Sequence, residues 1–387
     1  MTDHDRLVRC GIALCWILLA MGIACEEQAF ADERVAIDWH GNVGNSLTQP
    51  AEFYGTDEAV RIAETVLLYQ RSNGGWPKNY DRAAVLSPQD REKVRASRGR
   101  QDTTFDNGAT HSEIRYLAKV FSATGNERYR QAILRGVEFM LHAQYDNGGW
   151  PQFYPAERGM DWLVKRVTFN DDAMVGVLTT LRDVVRDRST YHYVDVALRA
   201  RCAEAVKKGV ACILKCQIEV DGRKTAWCAQ HDEKTLLPRE ARTYELVSLS
   251  GSESVGIVRF LMEIDQPSPE VIVAVQGAIA WLDQAKLTGI QQIKQEAKGS
   301  PKGWNKVVVQ DADAPPMWAR FYEIGTNRPI FCSRDGVPRQ RLADISYERR
   351  NGYSWLGYYA TELLSEDYPA WQKKWAPGAN VLDFRDR

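Results

Sequence analysis

Residues 72–81 read SNGGWPKNYD and residues 146–155 read DNGGWPQFYP. A chain that writes Asn-Gly-Gly-Trp-Pro twice, about 75 residues apart, is built from a repeating unit. A third tryptophan, Trp227 in DGRKTAWCAQHD, follows at nearly the same interval. Each tryptophan loop follows a stretch with helical periodicity and precedes a polar stretch that opens another helix. The openings are TTFDNGATHSEIRYL at 103–117, VTFNDDAMVGVLTTL at 167–181 and YELVSLSGSESVGIVRFL at 244–261. Apolar residues recur at helical spacing over 57–71, 110–122, 127–144, 171–186, 194–217, 251–264 and 268–286. Strict alternation is scarce, and Val307–Val309 is the best short strand candidate. Three such units, each contributing a pair of helices, predict an all-α chain closing into an α/α toroid. Its equivalent loops would meet at one end and line a groove.

The N-terminus follows a different logic. Arg6 and Arg9 precede the uncharged apolar run Cys10–Ala24, which is too short to span a bilayer comfortably. Ala29-Phe30-Ala31 then supplies a small-x-small cleavage site. Residues 1–31 therefore read as a secretory signal peptide, and 32–387 as a single domain that is secreted or periplasmic. With 50 basic against 51 acidic residues, no basic excess exists to recruit nucleic acid or to hold a membrane surface. Beyond residue 31 five cysteines remain, Cys202, Cys212, Cys216, Cys228 and Cys332, so at least one is unpaired in the expected monomer. Cys212 and Cys216 lie at i,i+4 in an apolar helical stretch, as buried small hydrophobes would.

The loops between helices carry the chemistry. Trp76 and Trp150 are open to two readings, stacking on a ligand ring or packing in the interior. Asp106 with Asn107, and Asn170-Asp171-Asp172, occupy matching loops, since Phe105 aligns with Phe169. Such residues at a helix start serve either as N-caps or, gathered from two loops, as oxygen ligands of Ca²⁺. Arg239 and Arg242 stand i,i+3 after Pro238, which predicts a helical turn presenting both on one face. His231 reads as a loop hydrogen-bonder or a proton carrier. Arg328, fixed by Pro329, suits either carboxylate recognition or an ordinary ion pair.

Taken together, GGWPKNYD at 74–81, TFDNGATHSEIRYL at 104–117, NGGWPQFYP at 147–155, TFNDDAM at 168–174, WCAQHD at 227–232, ARTYE at 241–245, SLSGSESVGIVRFLM at 248–262 and RFYEIGTNRPIFCSRDG at 320–336 resemble the family 10 polysaccharide lyases, pectate lyases with an α/α toroid fold. The resemblance implies Ca²⁺-assisted anti-β-elimination of polygalacturonate. It implies that Asp106 and Asp171 hold Ca²⁺ and that Arg242 removes the C5 proton. Lys78, Asn107, Arg239, Arg328, Trp76 and Trp150 would bind substrate. An arginine base implies activity rising toward alkaline pH. The rival reading is a metal-independent glycoside hydrolase using Asp106 and Asp171 as acid and base.

Overall fold

The structure is a computed structural model that describes residues 45–155 and 165–382. The expected signal peptide lies outside the described residues. The described residues belong to one compact unit. It is mainly helical: α1 (Asp57–Tyr69), α2 (Pro88–Ala96), α3 (His111–Thr124), α4 (Glu127–Ala143), α5 (Ala173–Arg186), α6 (Val196–Cys216), α7 (Glu253–Met262) and α8 (Pro269–Gln284). All seven of the longest agree with the expected ranges to within two residues at either end. No described helix is long and apolar enough to cross a membrane.

The helices pack in two rows. Helices α3, α5 and α7 touch in succession, and α1, α4, α6 and α8 form the second row behind them. The apolar stripes read from the sequence are the contact faces, as Ile62, Ala63 and Val66 of α1 and Ile114, Leu117 and Ala118 of α3 are fully buried. Most strands are two-residue bridges between loops. The exception is the hairpin Ile290–Glu296/Trp304–Gln310, whose second strand contains Val307–Val309 and whose first, IQQIKQE, has no clean alternation to betray it.

Repetition of Asn-Gly-Gly-Trp-Pro has an architectural cause. The indole N–H of Trp76 donates to the Val66 carbonyl, and that of Trp150 to the Met140 carbonyl, each at 2.8 Å. Both carbonyls lie in the last turns of the preceding helix, where intrahelical partners run out. Just before each loop, Gln70 and Gln144 donate to Gly74 and Gly148 carbonyls and also to Ala132 and Ala205 of the next helix in the second row. Trp227 and Trp318 repeat the clamp on Ile213 and Leu282, again at 2.8 Å. Trp318 is thus a fourth copy. It escapes the 75-residue spacing because the long hairpin is inserted before it and stretches the period.

Trp76 and Trp150 have no exposed surface. The expectation that they stack on substrate is corrected: both rings are wholly buried, and the helical glycines 136 and 209 leave room for them. The adjoining Gly148 has φ +93°, and a Cβ there would lie 2.1 Å from the Lys208 carbonyl oxygen. Gly148→Ala is expected to cost about 3 kcal/mol, from left-handed strain plus that clash. Gly222→Ala, with positive φ but open surroundings, should cost about 1 kcal/mol. Chemical denaturation of the two variants measures the difference.

All five cysteines beyond residue 31 are buried free thiols. Cys212 and Cys216 fill α6 as expected.

Candidate active site

Each tryptophan carbonyl accepts a backbone hydrogen bond from the start of the next polar loop: Thr104 to Trp76, Thr168 to Trp150 (both 3.1 Å) and Ser250 to Trp227 (2.7 Å). The clamp therefore sets where each loop begins. Asn107 (φ 52°, ψ 37°) and Asp171 (φ 50°, ψ 37°) occupy the same left-handed conformation at matching positions, and Asp172 follows with φ 56°. Non-glycine residues adopt this region at a cost, so the loops are held by their surroundings rather than by local preference. The two loops touch, and the second also meets the N-terminus of α7.

Acids and cations from four loops converge here. The Lys78 ammonium pairs with Asp106 Oδ2 and lies 5.1 Å from the Phe153 ring centroid. Asn107 donates to Asn79 Oδ1 at 2.9 Å. Buried Arg320 donates through one nitrogen to Asn170 Oδ1 (3.1 Å), Asp171 Oδ1 (3.2 Å) and Glu253 Oε1. Burial alone would favour loss of its proton, but Glu253, Tyr353 and Asp171 hold the guanidinium firmly charged. Burial raises the Asp171 carboxyl above the ordinary range; Arg320 opposes this, and the charges of Glu253 and Asp106 add to it. Asp172 opens to solvent at the mouth, yet surrounding protein and the charges of Glu253 and Asp171 push it up to about 6.

Arg242 approaches from another side. Its Nε donates to Glu245 Oε2 at 2.9 Å and its Nη2 to Glu245 Oε1. The same carboxylate accepts from the Tyr353 hydroxyl at 2.7 Å. The Tyr353 ring lies between the two arginines, with Arg320 4.8 Å and Arg242 5.8 Å from its centroid. One tyrosine thus joins Arg242 to the Arg320–Asp171 cluster. About half of the Arg242 side chain remains exposed. Burial would favour its neutral form, but Glu245 outweighs this and holds the proton more tightly than usual.

Other expected residues lie apart. The helical turn expected after Pro238 is a strand: Pro238–Arg239 pairs with Gln230–His231, and Arg242 begins the turn closed by the Glu245 N–H. Arg239 and Arg242 consequently do not share a face. Arg239 is exposed and pairs with Asp232 at 3.3 Å. Arg328 is exposed and pairs with Glu323 at 2.8 Å, so the structure does not bring it to the acidic loops. His231 sets its Nδ1 2.9 Å from the Leu236 carbonyl and accepts from Cys228 N–H; burial pushes it down to about 4, which leaves it a neutral structural hydrogen-bonder. Arg320, Glu253 and Tyr353 are the site residues that sequence reasoning missed. Arg320 opens the RFYEIGTNRP motif, but in sequence the arginine beside proline is the more conspicuous of the two.

Fit to a divalent cation rests on Asp106 and Asp171. Asp106 Oδ1 is buried and has no hydrogen-bond partner, an expensive state for a carboxylate oxygen. Ca²⁺ favours such hard oxygen donors. No group of three or more His, Cys, Asp or Glu side chains among the described residues converges as a complete metal cage. Two carboxylates fit a cation that draws its other oxygens from substrate and water. A cavity of about 730 Å³ beside the long hairpin and another of about 750 Å³ beside Trp281 are lined by other residues.

The model of the pectic acid lyase family matches residues 70–364. Two solved structures superpose closely. An aspartate-to-alanine mutant of a family 10 polysaccharide lyase from Cellvibrio cellulosa, in complex with trigalacturonic acid, is 36% identical with a TM-score of 0.71, covering 84% of this chain and 96% of that one. The family 10 polysaccharide lyase from the same organism is 35% identical with a TM-score of 0.70, covering 86% and 94%. No curated protein matches. Repeat, acidic loops and similarity over most of the length agree: the chain belongs to the pectic acid lyase family and is a pectate lyase of polysaccharide lyase family 10.

Proposed function

We propose that the chain cleaves α-1,4-linked polygalacturonate by Ca²⁺-assisted anti-β-elimination at the face where Lys78–Asp106, Asp171–Arg320 and Arg242 meet. The observation that carries this reading is the Tyr353 bridge, which sets a half-exposed guanidinium beside acidic loops that also hold cations. The two helix rows are read as an incomplete α/α toroid whose loops form that face. The N-terminal run supports delivery to the periplasm or the medium.

In this scheme Arg242 takes the proton from C5 of a galacturonate unit. The electron pair left on C5 forms the C4=C5 double bond, the C4–O4 bond breaks, and the departing O4 collects a proton. Lys78, paired with Asp106 from the Trp76 loop, faces substrate carboxylates. Arg320 holds Asp171 and Glu253 in place from beneath. Asp106 and Asp171 would hold Ca²⁺, which neutralises uronate carboxylates and withdraws charge as negative charge builds. Glu245 aims Arg242 and keeps it protonated at neutral pH, so the working form is scarce until the medium turns alkaline.

An incomplete protein cage has a measurable consequence. Calorimetry with the free enzyme should give a Ca²⁺ dissociation constant of about 10⁻³ M or weaker, tightening at least tenfold when an oligogalacturonate is added. Chelator should lower production of ultraviolet-absorbing unsaturated ends roughly 100-fold, with recovery on adding Ca²⁺. Activity that persists in chelator, with products lacking the double bond, would instead establish the hydrolase.

A further inference from the structure

The hairpin Ile290–Glu296/Trp304–Gln310 carries a charge arrangement that the elimination does not use. Lys294 and Lys306 are cross-strand partners. Like charges directly opposite one another destabilise a strand pair. Lys302 in the connecting turn adds a third ammonium, and burial, with Lys294 and Lys302, pushes the Lys306 amino group down. The half-buried Trp304 ring has Lys294 Nζ 4.8 Å and Lys302 Nζ 5.2 Å from its centroid.

None of these three lysines forms an ion pair among the described residues. Glu296, on the same strand as Lys294, pairs at 3.7 Å with Lys298 instead. Lys302 bonds the Asn351 carbonyl at 3.3 Å and Lys306 the Tyr353 carbonyl at 2.9 Å. Those bonds aim the ammonium groups without neutralising them. The 351–353 segment that anchors them also carries the Tyr353 side chain that meets Arg242 and Arg320. A strip of uncompensated positive charge therefore adjoins the cleft through a single residue, in a chain whose net charge is −1.

We propose that this hairpin is a second, non-catalytic binding surface for polygalacturonate, on which Lys294, Lys302 and Lys306 take up carboxylates of units lying beyond the cleavage site. Trp304 forms the floor that keeps Lys294 and Lys302 apart. The inference rests on the pectate reading. A polyuronate suits the strip because it presents one carboxylate per unit, so weak exposed contacts add up along one chain. A neutral polysaccharide would leave the lysines unpaired, and a short oligomer held at the cleft would not reach them.

The test compares chain lengths. In the double variant Lys294→Gln/Lys302→Gln, both side chains replaced are exposed. Its KM for polygalacturonate should rise roughly tenfold, while kcat/KM on trigalacturonate stays within about twofold. Lys302→Glu should impair polymer cleavage more than Lys302→Gln. Added salt should erode the native enzyme's preference for long chains more than the double variant's. Equal losses on polymer and trimer, or no loss on either, would overturn the proposal. Retention of double-stranded DNA on the hairpin with an unchanged polygalacturonate KM would do the same. Should the native enzyme release no unsaturated product from either substrate, the fault lies in the pectate reading and not in the hairpin.

Discussion

Arg242→Lys is expected to lower kcat on polygalacturonate by roughly 10³-fold, the scale of a lost general base, with KM changed by less than about threefold. The substitution separates basicity from placement. A lysine amine gives up its proton more readily than a guanidinium, so if basicity alone mattered the variant would match or exceed the native enzyme. It lacks the planar fork, however. Arg242 meets both Glu245 oxygens at once, through Nε at 2.9 Å and through Nη2. A single ammonium would settle on Glu245 and leave nothing aimed at C5. A variant within tenfold of native activity, its thermal unfolding unchanged, would remove Arg242 from the reaction.

The pH profile gives the same assignment an independent check. Glu245 raises the folded pKa of Arg242 above its ordinary value. The neutral fraction should then grow about tenfold per pH unit across the whole accessible range. Log kcat/KM should rise with slope near +1 from neutral into alkaline pH, short of a plateau. Stability follows other rules. The contribution of Arg242 is fully present below the unfolded guanidinium pKa and is lost only as pH rises through the folded one, far above working conditions. Glu245, whose carboxyl is held below its usual range, contributes stability that is present above the unfolded carboxylate pKa and lost as pH falls through the folded one. Acid should therefore weaken this pair while alkali speeds the reaction. A rate maximum at mildly acidic pH would point to a carboxylate base.

Helices and loops were legible because their signals are local. A 3.6-residue apolar period is written within a dozen residues, and it placed α1, α3, α4, α5, α6, α7 and α8 to within two residues. The match between the Asp106 loop and the Asp171 loop was visible because Phe105 and Phe169 mark it, and the backbone angles of Asn107 and Asp171 repeat it. For the tryptophans the residues left stacking and packing both open; only the carbonyls of Val66 and Met140 show that the rings point inward. The i,i+3 spacing of Arg239 and Arg242 suggested a helix where strand pairing with Gln230–His231 decides the backbone. Arg320 opens a motif, yet nothing local marks its partners. Its partners Asn170 and Asp171 lie about 150 residues earlier in the chain.

That long-range arginine underlies the second large effect. Arg320→Met is expected to destabilise the fold by about 3–5 kcal/mol, the usual cost of removing one member of a buried charged pair. Its guanidinium lies against Glu253, which is 4% exposed, and no other cation pairs with that carboxylate among the described residues. The Asp171 loop, held in a left-handed backbone, loses the same anchor. Thermal unfolding should fall by roughly 5–10 °C. Adding Glu253→Gln removes the stranded charge, so the double variant should recover most of that stability. Activity should not follow. With Asp171 no longer held by Arg320, kcat/KM on polygalacturonate should stay at least about tenfold below native even where the melting temperature is restored. A double variant that regains both would make Arg320 a structural residue alone. One that regains stability without activity makes it the group that positions Asp171.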